Sequence, residues 1–459
     1  MSSSTPRQLP DELVLKIISH LGTLNEVVRY SSLMSKRWKE VWRSIGGGIL
    51  DFDKSDNIRA YIPTEEQLPF ANTVDQALTS LASHRNLDGL RIGFDFYGMA
   101  EQARRWIEFG LTKTVKELTL ISSSPYLPPL TLDSLAKHDL SRLEVLEFHG
   151  MRKIPRAVVQ HILCNCPSLR QFALRNCSFS ELGGAVLVIN VQSSHNNLQS
   201  LSLDLEAPGS EVRIELVSAP NLHTFKFRGS HVEFGDNLPR LREAWFSGQW
   251  IRETSSLPWS RAQFEKFAPR LDRLGLQLGP NRFRHRLVSP VPEWLLFEKL
   301  RFLGLDLFIN TCFAPSSLVD CTVLLIAAPV LRQLTIRFAN ASDMENQEWR
   351  GSSAAESSLE WKHHALEVLR LHGVHRDRTA SFFVSARRRQ LELAACIIMR
   401  APSLKQVLID TRHPSLIRRP AAEFRLPHEV DEDICEARME LDTQLQGRSA
   451  SPHVHFTYR

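Results

Sequence analysis

Cysteine, lysine and tyrosine are scarce in this chain of 459 residues: 7 cysteines, 5 tyrosines, and 13 lysines beside 43 arginines. An odd set of thiols scattered from Cys164 to Cys435 does not make a disulfide framework. Met1 to Gln8 is polar and lacks the apolar core of a secretory signal. Together these features point to reduced thiols in the cytoplasm or nucleus. Long apolar runs are missing too. The most apolar stretch, residues 323–331, is interrupted by Pro329 and is too short for a bilayer, so no membrane partner is expected. An excess of one charge is also absent. The 56 cationic and 51 anionic side chains leave a net +5, too mild over this length for a dedicated nucleic-acid binder. No G-x-S-x-G, G-x-G-x-x-G or phosphate-loop motif occurs, so enzyme chemistry has no residues to stand on.

What is present is globular: 43% hydrophobic and 23% charged residues, which excludes a disordered or collagen-like chain. The length allows two to four domains, or one small domain and a repeat array.

At the N-terminus, Pro10 suits the first turn of a helix, with Asp11 and Glu12 favourable to its dipole. Leu13, Ile17 and Leu21 share one face, and Gly22 is a stop. Thr23 and Glu26 have capping-box spacing and open a second helix through Val28. Ser35 can cap a third, with Trp38, Val41, Trp42 and Ile45 along one side. A unit this small cannot bury its own apolar face. Either it caps the next domain, or the remaining face docks a partner helix.

Leu9-Pro10-Asp11-Glu12-Leu13, the Ile17/Ile18/Leu21 face, and Ser35-Lys36-Arg37-Trp38 followed by Trp42 resemble an F-box, that of plant F-box proteins in particular. Gly22 stands where the family often has Pro, and Asn25-Glu26 replaces a common Lys-Asp. The resemblance implies a Skp-type adaptor as partner and, through it, a cullin and a RING subunit in an SCF ubiquitin ligase. It also implies that Leu9, Pro10, Leu13, Ile17, Leu21, Val28 and Trp38 form or support the adaptor-binding surface.

From Leu87 a short pattern recurs: apolar, two others, apolar, one other, apolar. Examples are Leu87-Leu90-Ile92, Leu143-Leu146-Phe148, Leu198-Leu201-Leu203, Leu300-Leu303-Leu305 and Leu404-Val407-Ile409, with a weaker copy at Leu241. The early starts step by 28, 28, 26, 29 and 24 residues, and the later ones by 29, 31, 35 and 38. The early steps have the period of leucine-rich repeats. The residue after the third apolar position is usually polar (His149, Arg175, Asp204, Arg228, Gln277, Asp306, Arg337, His372, Asp410). One strand face is therefore expected to be buried and the other solvated. Pro often stands two residues before the first Leu, as in Cys166-Pro167-Ser168-Leu169 and Ala401-Pro402-Ser403-Leu404, and ends the preceding helix or turn. Residues 157–164 have helical spacing. The expected fold class is α/β: a leucine-rich-repeat solenoid, a curved parallel-sheet horseshoe, preceded by a small all-α helical module.

Arg105-Trp106-Ile107, Phe109 and Val115-Lys116-Glu117-Leu118 resemble the first repeats of plant F-box/leucine-rich-repeat proteins. Residues 366–410, with Leu391-Glu392-Leu393-Ala394 and Pro402-Ser403-Leu404, are similar to that family's FBD region, although Arg387-Arg388-Arg389 and Ala401-Pro402 depart from it. The expected organisation is a disordered leader at 1–8, an F-box at 9–50, a linker and first cap at 51–86, repeats at 87–410 with the FBD-like part at 366–410, and a charged tail at 411–459. Residues 340–358 read as an exposed loop, and the acidic run 429–433 as a solvated stretch.

No metal and no cofactor is expected. Cys164, Cys166 and Cys177 lie close together but read as packing residues of a repeat. His363, His364, His372 and His375 cluster, yet His372 already has a place on the polar strand face. The resemblance implies a non-catalytic receptor that holds its substrate by positioning. Candidate contacts on the exposed strand face are Glu147, Arg175, Asp204, Arg228, Trp245, Asp306 and Arg337. Trp245 leads, because Trp and Arg concentrate at binding hot spots. Its other reading is packing against the weak repeat at Leu241 in compensation for Ala244. Two alternatives stand beside the receptor: a binding scaffold outside ubiquitination, and a receptor for a small molecule.

Overall fold

The computed structural model describes residues 48–53, 64–81, 87–94, 96–122, 127–180, 186–192, 197–206, 211–229, 231–247, 266–278, 296–309, 324–340, 361–373, 381–410, 439 and 454–458. The adaptor positions Leu9, Pro10, Leu13, Ile17, Leu21, Val28 and Trp38 lie outside the described residues, as do the three helices expected there, residues 341–358 and the acidic run 429–433. The chain divides into two compact units, Met1–Ser210 and Glu211–Arg459.

The first unit alternates strands with helices. In chain order these are β1 (Ile49–Asp53), α1 (Thr64–Leu81), β2 (Gly89–Phe94), α2 (Ala100–Thr112), β3 (Glu117–Ser122), α3 (Leu132–Ala136), β4 (Val145–His149), α4 (Arg156–Asn165), β5 (Gln171–Ser178), β6 (Val186–Gln192) and β7 (Ser200–Glu206). β1, β2, β3, β4, β5 and β7 pair in that order, all parallel. Their register stacks the second and third apolar positions of each repeat into two rows. One row is Leu50, Leu90, Leu118, Leu146, Phe172 and Leu201; the other is Phe52, Ile92, Leu120, Phe148, Leu174 and Leu203. Every member is buried. The side-chain period of two in a strand requires this once the apolar residues are spaced as they are.

Helices cover the buried side. α2 turns Ala103, Trp106, Ile107, Gly110 and Leu111 inward. Gly110 lets α2 lie close to β3, since a Cβ there would come within 2.9 Å of the Leu118 Cδ1 and displace that side chain. The Trp106 indole N–H donates to Asp75 at 2.7 Å and Arg105 pairs with the other Asp75 oxygen at 3.1 Å, tying α2 to α1. Gln160 of α4 exchanges both amide groups with the backbone of Asn190 on β6.

The second unit contains β8 (Glu211–Ser218), β9 (Thr224–Arg228), β10 (His231–Asn237), β11 (Glu243–Ser247), β12 (Arg273–Leu278), β13 (Phe302–Ile309), β14 (Gln333–Asn340), β15 (Val368–His372), α5 (Ser381–Arg400), β16 (Gln406–Asp410) and β17 (His455–Tyr458). β9 and β11 to β17 form a parallel ladder in that order. Its buried rows are Phe225, Ala244, Leu274, Leu303, Leu334, Leu369, Val407 and Phe227, Phe246, Leu276, Leu305, Ile336, Leu371, Ile409. β8 and β10 pair with each other, also in parallel. Here β8 stands before β9, and β10 between the ladder strands β9 and β11, where the first unit mostly has helices. In both units the fold is the parallel ladder of a leucine-rich-repeat solenoid.

Two backbone devices set the repeat. Where each strand begins, one carbonyl accepts two N–H groups from the next repeat: Asp88 from Lys116 and Glu117, Asp272 from Arg301 and Phe302, Glu367 from Lys405 and Gln406. The second is the Pro signal. Leu169 donates to Cys166 O, Leu222 to Ala219 O, Leu271 to Ala268 O, Leu331 to Ala328 O and Leu404 to Ala401 O, at 3.0–3.2 Å. Each is a turn with Pro at its second position, where a fixed φ and a missing N–H fit the geometry. Leu238-Pro239-Arg240-Leu241 makes the same turn.

The expected linker and cap at 51–86 is corrected in part. Ile49–Asp53 is the first strand of the ladder, with Leu50 and Phe52 buried, and helix α1 carries Pro69 within it. The tail likewise contributes a strand, β17, paired with β16.

Candidate functional site

The strand side chains that alternate with the buried rows form an outer face in each unit. In the first unit, one register row on this face runs Asp51, Arg91, Thr119, Glu147, Ala173 and Ser202. Arg91 reaches Glu117 at 2.9 Å and Asp51 at 3.7 Å. Glu147 meets His149 at 2.8 Å and Arg175 at 3.2 Å. Burial alone pushes the Glu147 carboxyl up. The His149 hydrogen bond and the charges of Arg175, His149 and Arg91 outweigh it together, and the group is held below its ordinary value. Asp204, half-buried on β7, adds to the charge environment of Cys177. Cys177 gives its thiol to backbone carbonyls of Phe148 and Arg175. Burial pushes the Cys177 and Cys166 thiols up to about 12, so both are packing groups.

The second unit's face is built differently. Trp245 stands at the middle of β11, aligned with Lys226 on one side and with Gly275 and then Gly304 on the other. Its indole lies flat across the two glycines. A Cβ on residue 275 would fall inside the indole, and one on residue 304 would come within 3.0 Å of it. Phe302 extends the surface, its ring 6.1 Å from that of Trp245 and tilted by 46°. Cations surround both rings. Arg273 lies over Phe302 at 4.6 Å, and Lys226 and Arg337 approach Trp245 at 5.8 and 5.9 Å. Glu243 accepts the Trp245 N–H at 2.7 Å and pairs with Lys226 at 3.4 Å, which fixes the indole's orientation. Asp306 pairs with Arg337 at 3.7 Å.

The structure thus joins Glu147 with Arg175, and Trp245 with Arg337 and Asp306. Arg228 lies half-buried at the end of β9, level with Ser247. Alternation along β11 puts Trp245 and Ala244 on opposite faces, so the indole does not fill the space beside Ala244. On the buried side Ala244 is level with Phe225, which clusters with Phe234, Phe246 and Phe267 at ring-centroid distances of 4.5–6.3 Å. Lys226, Glu243, Arg273, Gly275, Phe302 and Gly304 were not singled out in the sequence. For Lys226, Gly275 and Gly304 the signal is the column between the second and third apolar positions, read repeat by repeat as Lys, Trp, Gly, Gly; Glu243, Arg273 and Phe302 stand just before the second apolar position.

Other polar candidates serve the fold. His363 donates through Nε2 to Ala328 O at 2.9 Å and accepts from Leu366 N at 3.1 Å, and burial lowers its pKa. Asp410, expected on the solvated face, is buried and faces His372 at 3.7 Å. Among the described residues no group of three or more His, Cys, Asp or Glu is placed to hold a metal ion, and no helix is long and apolar enough to cross a membrane.

Comparison with known proteins identifies two domains. Residues 7–48 match the F-box domain, and residues 94–441 match the At1g61320/AtMIF1 leucine-rich-repeat domain. The FBD-associated F-box protein At4g10400 of Arabidopsis thaliana is 26% identical over 270 residues, 52% of this chain and 60% of that protein. The F-box protein At4g09920 of Arabidopsis thaliana is 25% identical over 268 residues, 52% of this chain and 78% of that protein. The putative F-box/FBD/LRR-repeat protein At3g49030, also of Arabidopsis thaliana, is 26% identical over 267 residues, 52% of this chain and 56% of that protein. The chain therefore spans less than two thirds of two of these three relatives. The repeat match covers most of the chain and coincides with the parallel ladders described above; this protein belongs to the At1g61320/AtMIF1 leucine-rich-repeat family and carries an F-box at its N-terminus.

Proposed function

We propose that this chain is the substrate-recognition subunit of an SCF-type ubiquitin ligase. The observation that carries the reading is one chain with an F-box at 7–48 and a leucine-rich-repeat domain at 94–441. F-box domains bind Skp-type adaptors, which link them to a cullin and a RING subunit. The apolar positions Leu9, Pro10, Leu13, Ile17, Leu21, Val28 and Trp38 make that contact, because a face this apolar needs a cover. The repeats hold the substrate on their outer strand face, through Glu147, Arg175, Asp204, Arg228, Trp245, Asp306 and Arg337. The chain itself carries out no bond chemistry; it raises the local concentration of a target beside the ligase. It works in the cytoplasm or nucleus, where that machinery resides.

Affinity purification of the tagged chain followed by mass spectrometry tests this. Adaptor and cullin peptides are expected with the wild type and are strongly reduced by Leu9→Ala with Pro10→Ala, while the repeat domain keeps its circular dichroism. Repeat-bound partners recovered without adaptor or cullin would instead favour a scaffold outside ubiquitination.

A further inference from the structure

The outer face of the second unit has a charge balance and a spacing that select a ligand class. Its side chains include five fixed cations: Lys226, Arg228, Arg273, Arg337 and Arg370. Among the described residues, three carboxylates share the face. Glu243 and Asp306 are already paired with Lys226 and Arg337, and Asp410 is buried. Arg273 and Arg370 are exposed, and Arg370 has no ion-pair partner among the described residues. The order along the ladder is regular. β9 brings Lys226 and Arg228, β11 Trp245, β12 Arg273, β13 Phe302, β14 Arg337 and β15 Arg370. From β9 to β14, cations and aromatic rings therefore alternate strand by strand, and β15 adds one more cation.

Neighbouring strands are ~4.8 Å apart, so cation-bearing strands two steps apart lie ~10 Å apart. A segment in the extended polyproline II conformation rises ~3.1 Å per residue with three residues per turn, so every third side chain returns to the same side after ~9 Å, close to that spacing. We propose that this face binds an extended acidic segment of a partner protein, with Asp or Glu at about every third residue and apolar side chains between them on Trp245 and Phe302. Each carboxylate meets one cation, and each apolar side chain rests on a ring. The glycines at 275 and 304 let the indole lie flat, so the face offers a platform ready-made for the segment. Nucleic acid fits less well. Glu243 and Asp306 stand beside the rings, where they would repel phosphate, and the two rings are tilted rather than parallel. This inference rests on the receptor reading for its biological meaning, since the segment would belong to the substrate.

The test uses the full chain purified with its Skp-type adaptor, as bait for a phage-displayed library of random short peptides. The wild type should enrich peptides with acidic residues at intervals of three and apolar residues between. Trp245→Ala should weaken a selected peptide at least about tenfold, as expected for a central anchor. Arg273→Glu with Arg337→Glu, which leaves the indole in place, should do the same and keeps the test decisive if Trp245→Ala fails to fold. Enrichment of basic or neutral peptides, no enrichment at all, or unchanged binding by the double charge reversal would overturn the proposal. So would an oligouridine that displaces the selected peptide and binds more tightly than it. Adaptor recovery is read on the same samples. Peptide binding without adaptor refutes the ligase reading alone, and adaptor without acidic peptides refutes this inference alone.

Discussion

The two units bury the same kind of leucine rows and differ on the other side of the strands. In the first, Asp51, Glu117, Glu147 and Asp204 outnumber Arg91 and Arg175, and both arginines are held by carboxylates of their own or neighbouring strands. In the second, five cations share the face with two half-buried carboxylates, Glu243 and Asp306, around a flat aromatic surface. The buried rows are what the fold requires, so they recur. The outer face is free of that constraint, and there the units diverge. On the first face every arginine is held by a carboxylate, and those pairs tie neighbouring strands together. A face with cations beside half-buried rings is equipped to meet something else.

That contrast can be broken by substitution. The largest effect belongs to the shared rows. Leu146→Ala in the first unit and Leu303→Ala in the second should each destabilise by roughly 2–5 kcal/mol in urea unfolding. A cost under ~1 kcal/mol in either would show that its row does not carry the fold. Gly275→Ala comes next, at about 1–3 kcal/mol, because the added methyl must push Trp245 off the sheet. The indole's fluorescence should shift with it, and an unchanged spectrum would contradict the flat arrangement.

Glu147→Gln should destabilise the first unit by about 1–2 kcal/mol, leaving Arg175 and His149 without their shared acceptor. The pH dependence has a definite sign. The folded carboxyl is held below its ordinary value of 4.5, so its contribution is present above that pH and is lost as the pH falls through the depressed value. The difference between wild type and Glu147→Gln should therefore shrink in acid, and a gap that widens below pH 4.5 would contradict the pairing. The smallest effect is expected at Asp306→Asn, within about 0.5 kcal/mol, since it meets Arg337 only at 3.7 Å and both side chains are partly exposed. A loss as large as that at Glu147 would erase the difference drawn between the two faces.

Much of this was legible in the sequence. The L-x-x-L-x-L spacing contains the two buried rows, because a strand's alternation leaves those side chains no other side. Proline before the first Leu reads as the end of a helix or turn, and it sits at the second position of a turn. Ile49–Asp53 escaped notice because its Leu50 and Phe52 lack the leading Leu and Pro of the other repeats. His455–Tyr458 lies far along the chain from β16, its neighbour in the ladder, and register across such a gap has no local signature. Trp245 stood out by residue type. Its supports did not, since Gly275 and Gly304 become meaningful only when three strands are aligned. Glu147 and Arg175 are each ordinary surface residues until β4 and β5 pair.

The central claim is that one chain holds an adaptor at its N-terminus and a partner on the second unit's outer face. The most direct test is quantitative mass spectrometry of proteins recovered with three versions of the chain. These are the wild type, Leu9→Ala with Pro10→Ala, and Trp245→Ala with Arg337→Glu. The account predicts that the first variant loses adaptor and cullin but keeps other partners. It predicts that the second keeps adaptor and cullin and loses partners bound by the wild type. Variants that lose the same proteins, or that lose none, would contradict it.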